Sequence, residues 1–137
     1  MSVLTAAIYN VLASDAALAA LLSDYGGQPA VFTTDPVPGD APLPYVMTAG
    51  EAVQAPWDTK TTRGRDLWRD IHCYTAASGS AVNVEAIAER VRALLHRQAM
   101  AIDGFTWVLC ECSGPIVADE QDVYGRVLTA KFIIQEV

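Results

Sequence analysis

Cysteine is scarce in this chain: Cys73, Cys110 and Cys112 are the three among 137 residues. They form neither the even set of a disulfide framework nor the spaced pairs that close a zinc site. Cys110 and Cys112 lie two apart in a segment that alternates like a strand, so they share a face and read as buried or half-buried thiols. Charge is sparse too. Charged side chains make up 18% of the chain against 52% hydrophobic, a balance that excludes a disordered or solvating segment. Lys and Arg are absent from residues 1–59, which carry six acids, Asp15, Asp24, Asp35, Asp40, Glu51 and Asp58. The formal net charge of −7 argues against a surface that grips nucleic acid through clustered cations. No apolar run approaches the ~18–20 residues of a membrane span. The opening MSVLTAAIYN lacks the basic start and cleavage pattern of a signal peptide, so the chain is expected in a cytoplasm. A phosphate loop is missing, because no helix with Lys-Ser/Thr follows Gly26-Gly27. Asp119, Glu120 and Asp122 lack the glycine and distal Glu of a calcium loop, so neither metal nor cofactor is expected.

What is present suits one domain over residues 1–137, long enough to bury roughly two thirds of its unfolded surface. Leu4, Ile8, Val11 and Leu12 predict a first helix capped by Ser2. Ser14-Asp15 offers a second cap, and the apolar pattern continues to Leu22 before Gly26-Gly27 closes it. Ala30–Thr33 reads as a short strand. Pro44–Ala55 and Arg65–Tyr74 read as two long strands joined by a polar arm, Pro56–Gly64, too long for a tight turn. The second of these strands sets Leu67, Arg69, Ile71 and Cys73 opposite Trp68, Asp70, His72 and Tyr74, so neither face is wholly apolar. The clearest helix runs from Val84 to about Gln98, capped by Ser80 or Asn83. Strands at Phe105–Cys112 and Tyr124–Gln135 follow, joined by the acidic Asp119-Glu120-Gln121-Asp122 and pairing antiparallel. The order α-β-β-β-α-β-β predicts an α+β fold, a mostly antiparallel sheet with helices packed on one face.

Four of the nine basic residues, Lys60, Arg63, Arg65 and Arg69, fall within ten positions at the arm, making one end of the hairpin positive on an acidic body. Acid–base equipment is limited to Asp70, His72 and Tyr74 on one strand face, a remote basis for a small cytoplasmic enzyme. His96, at a helix end, is expected to face solvent or the helix carboxyl terminus.

In this order, LTAAIYNVLASDAALAALL, PLPYVMTAGEAVQAPWDTKT, DLWRDIHCYT, VEAIAERVRALLH and the two closing strands resemble the phage tail completion or tail terminator proteins. These occur in long non-contractile tailed phages, prophages and gene transfer agents. The most particular parts are Pro44-Tyr45-Val46 leading into Trp57-Asp58-Thr59-Lys60, and the helix after a small-residue turn. That resemblance implies a structural, non-enzymatic virion protein. It would cap the head-proximal end of the tail tube as a hexameric ring, stop tube growth and join tail to head. Its partners would be the major tail tube protein, the head-completion or connector protein and further copies of itself, with DNA passing through the lumen without specific binding and no membrane involved. It would work in the cytoplasm of the producing bacterium and then in the tail or neck of the particle. A head-closure or adaptor neck protein is the neighbouring alternative. Trp57, Lys60, Arg63 and Arg65 on the arm, and Asp119, Glu120 and Asp122 at the acidic turn, are the interface residues this reading selects.

Overall fold

The first helix, α1 (Ser2–Ala13), buries Leu4, Ala7, Ile8 and Leu12 at the three- and four-residue steps of one helical face. This computed structural model describes residues 1–137. Met1 rather than Ser2 occupies the cap position, and its carbonyl accepts the Thr5 hydroxyl at 3.1 Å. Asp15 caps α2 (Ala16–Ala19) by accepting the Leu18 N–H at 2.8 Å, as the Ser14-Asp15 pair suggests. Gly26 and Gly27 do not end a helix. They turn a small hairpin, β1 (Asp24–Tyr25) and β2 (Gln28–Pro29), with φ of +59° and +81°. A two-residue loop needing positive φ twice is where paired glycines belong.

The main sheet is built from β3 (Val31–Phe32), β4 (Tyr45–Met47), β5 (Glu51–Pro56), β6 (Gly64–Ala76), β7 (Phe105–Val117) and β8 (Val123–Glu136). Its order is β3-β4-β6-β8-β7, with β5 also on β6. Only β3–β4 is parallel, giving the α+β, mostly antiparallel class. The expected Pro44–Ala55 strand is two strands laid end to end along β6, because Gly50 at φ +128° breaks the run between them. At the centre β6 and β8 pair without a break from Gly64↔Gln135 to Ala76↔Val123. This ribbon is about 40 Å long at ~3.3 Å per residue.

Helix α3 (Val82–Leu95) begins two residues earlier and stops earlier than the periodicity suggests. Neither Ser80 nor Asn83 caps it; Ala81 holds that position. The helix covers the sheet face of Leu67, Ile71 and Cys73, with Leu128, Ala130, Phe132 and Ile134 from β8. Each large side chain buried there contributes about 1.5–3 kcal/mol. Strand β7 runs five residues past the expected Cys112. A bulge at Val108 resets its alternation: Trp107 pairs Ile134 while Leu109 pairs Ile133. Trp107 therefore shares the helix side with Cys110 and Cys112, and Leu109 goes to the other face.

Candidate functional site

The polar arm is an ordered hairpin tip. Backbone bonds continue past β5, Trp57 N–H to Gly64 C=O at 2.9 Å and Thr59 N–H to Thr62 C=O at 2.9 Å, leaving Lys60-Thr61 as a two-residue loop. The nine residues that read as a long connection are mostly hairpin legs. Asp58 accepts the Gly64 N–H at 3.1 Å, and Thr59 Oγ1 accepts the Thr62 N–H at 3.0 Å.

The acidic turn between β7 and β8 repeats this construction. Ala118 N–H bonds Gly125 C=O at 3.0 Å, Glu120 N–H bonds Val123 C=O at 2.9 Å, and Asp119 accepts the Gly125 N–H at 3.0 Å. Both tips follow an Asp-x5-Gly pattern, Asp58 to Gly64 and Asp119 to Gly125. In both, a Cβ on the glycine would strike the carbonyl of the residue before the aspartate, Trp57 or Ala118. The tips share a scaffold and differ in charge. Because Gly64 pairs near the end of β8 and Ala76 pairs near its start, they occupy opposite ends of the ribbon.

Lys60 and Arg63 are exposed and make no ion pair within the chain. Trp57 is 38% exposed and lies against Gly64. Arg65 lines one hollow with Asp58, Arg63 and Glu136 at the base of the tip, and it pairs Ile134 on the helix side of the sheet. There its guanidinium donates to Gln54 Oε1 at 3.2 Å and lies 5.6 Å from the Phe105 ring centroid. Asp119 is also occupied internally, accepting Arg126 Nη1 at 3.0 Å. Glu120 and Asp122 are exposed without a cation partner. Beside Glu120 is a cleft of about 250 Å³ whose walls include Asp35, Pro36, Val37, Tyr45 and Tyr74. Burial raises the pKa of both tyrosines, and the charges of Glu120 and Asp35 raise it further. The tyrosines extend an aromatic row, Phe32–Tyr45 and Tyr45–Tyr74 each at 5.5 Å between centroids.

Asp70, His72 and Tyr74 share the uncovered sheet face but form no relay. Asp70 accepts the Thr129 hydroxyl at 2.9 Å, and His72 Nδ1 lies 3.2 Å from Tyr74 Oη. Cys73, Cys110 and Cys112 are buried, and burial pushes the Cys73 thiol up to about 12. No three His, Cys, Asp or Glu side chains converge as a metal site, and no helix is long and apolar enough to cross a membrane.

Three internal links lie outside the residues selected from sequence. Arg69, fully buried on the helix side of β6, donates to Glu51 Oε1 at 2.5 Å, and Glu51 also accepts the Met1 amine at 2.8 Å. Asp15 forms a bidentate pair with Arg90 of α3 at 2.6 and 2.8 Å, so that charge on α3 ties two helices together. His96 Nδ1 accepts the Cys112 N–H at 3.1 Å, and Arg97 N–H donates to Cys110 C=O at 2.8 Å. These two bonds cover the middle of the β7 edge, so His96 is not a solvent-facing helix end. Its only sequence signal is the end of the α3 stripe at Leu95.

The family described as "Tail completion protein gp17" matches residues 6–135. A chain of the solved structure "Virion of native gene transfer agent (GTA) particle" superposes with a TM-score of 0.77 at 26% identity, covering 96% of this chain and 94% of that one. No curated protein matches.

Proposed function

Since the chain belongs to the tail completion protein gp17 family, and so is a structural protein of phage-type tails, we propose that it caps the head-proximal end of the tail tube as a hexameric ring. In that position it stops tube growth and joins tail to head, touching the tube protein on one side and the head's connector on the other. The match over residues 6–135 carries this reading, and the likeness to a chain of a gene transfer agent virion agrees with it. A ring of identical head-to-tail contacts needs two different patches on each subunit. The unpaired Lys60 and Arg63 and the unpaired Glu120 and Asp122, on like-built tips at opposite ends of the ribbon, supply such a pair. Residues 1–59, without Lys or Arg, suit a lumen through which DNA passes unbound.

Gold labelling of a tagged copy in whole particles tests the placement. Label at a single position per particle, the junction of tail and head, is expected; label along the tube or at its distal end contradicts it.

A further inference from the structure

The cleft beside Glu120 has the composition of a receptor for a cationic side chain. Tyr45 and Tyr74 give aromatic walls, and Asp35 and Glu120 place two carboxylates beside them, neither with a cation of its own chain. An ammonium or guanidinium over tyrosine rings gains from the ring quadrupole, and a nearby carboxylate strengthens its hold. At the far end of the same ribbon stand Lys60 and Arg63, exposed and unpaired.

We propose that the Lys60/Arg63 hairpin tip of one copy seats in the Asp35–Tyr45–Tyr74–Glu120 cleft of the next. This rests on the ring reading above and adds to it which surfaces mate. Each tip lies about 40 Å from the cleft of its own chain, so it cannot fold back into it. Only another copy can bring the two together, and because donor and receptor sit at opposite ends, the contact is heterologous and propagates from copy to copy. The shared backbone scaffold of the two tips holds Lys60-Thr61 in a tight loop, so little ordering remains to be done on docking.

The test uses a producer whose copy carries Thr61→Cys and Gln121→Cys, exposed neighbours of Lys60 and Glu120 that leave the mating charges in place. The native thiols are buried, and an intramolecular bridge across the ribbon is excluded by distance. Intact particles are treated with a bis-maleimide that contains a disulfide and is long enough to span side-chain-mediated contacts, which a direct disulfide is not, run on a non-reducing gel, and imaged for a sixfold layer at the head–tail junction. A ladder from dimer upward that collapses with reductant supports the pairing. A sixfold layer without a ladder overturns the pairing and leaves the ring standing. Absence of a ring containing this chain in wild-type particles overturns both. In parallel, Arg63→Glu should lower the yield of tailed particles about tenfold or more, and adding Glu120→Arg should restore most of it. Unchanged yield in Arg63→Glu also overturns the pairing.

Discussion

Arg69 and Glu51 stand opposite each other on β6 and β5, and the arginine is wholly enclosed while its side chain makes one hydrogen bond, to Glu51. Its Nε and Nη1 have no partner, so the carboxylate is what holds this charge in the core. Glu51→Gln should therefore destabilise the fold by about 3 kcal/mol at neutral pH, measured by denaturant melts. Replacing both as Glu51→Leu/Arg69→Met should recover only part of that loss, because the buried guanidinium is gone while the Met1 amine still loses its carboxylate. Burial works to raise the Glu51 pKa, yet the amine and Arg69 outweigh it and hold the group below its ordinary 4.5. Asp15 is likewise held below 3.8, chiefly by the Arg90 hydrogen bond. A lowered folded pKa gives stability that is present above the ordinary value and disappears as pH falls through the folded one. Melting temperature should fall below about pH 4.5, and less steeply in Glu51→Gln than in the parent. Gly64 has a different constraint. A Cβ there would meet Trp57 O at 2.6 Å and Ile134 O at 2.8 Å, both backbone, so Gly64→Ala should lower stability by about 1–3 kcal/mol.

At the scale of elements, the latch between His96 and β7 guards an edge strand that would otherwise offer free N–H and C=O groups. His96→Ala should speed hydrogen exchange at the Cys112 amide at least about tenfold while leaving the amides of α3 protected, as read by exchange NMR. Equal acceleration in α3 would mean that the histidine holds the helix rather than the edge. The alternation of β6 and β8 was legible in the chain, since Leu67, Ile71 and Cys73 with Leu128, Phe132 and Ile134 keep a strict period of two over one covered face. The α3 stripe was legible for the same reason at a period of 3.6. What periodicity could not show were features set by single positions or by distant partners. The bulge at Val108 shifts a face without altering composition, and Gly50 splits a strand that reads as one. Gly26-Gly27 serves equally well as a helix stop or a hairpin turn until neighbouring strands choose. The candidate surfaces were legible as charge, Lys60 and Arg63 against Glu120 and Asp122. Arg65 and Asp119 were not separable from them, because their partners Gln54, Phe105 and Arg126 become neighbours only after folding.

For the whole molecule, the organising feature is a rigid ribbon with a basic tip at one end and an acidic, tyrosine-walled cleft at the other. Lys60 and Arg63 are exposed and make no ion pair within the chain, so the core does not depend on their charges. Lys60→Glu/Arg63→Glu should therefore melt within about 0.5 kcal/mol of the parent while failing to support particle assembly. A large loss of stability would place these cations in folding rather than in contact with a neighbour. Family membership makes the chain a structural protein of phage-type tails, and the role proposed for it there is to set where the tube stops. The decisive measurement is the tail-length distribution, by negative-stain microscopy, of particles from a producer lacking this gene. Overlong tubes without heads are the expected result. Tubes of normal length that fail to acquire heads would contradict termination and move the protein to the head-closure layer, and unchanged particles would contradict the assembly role altogether.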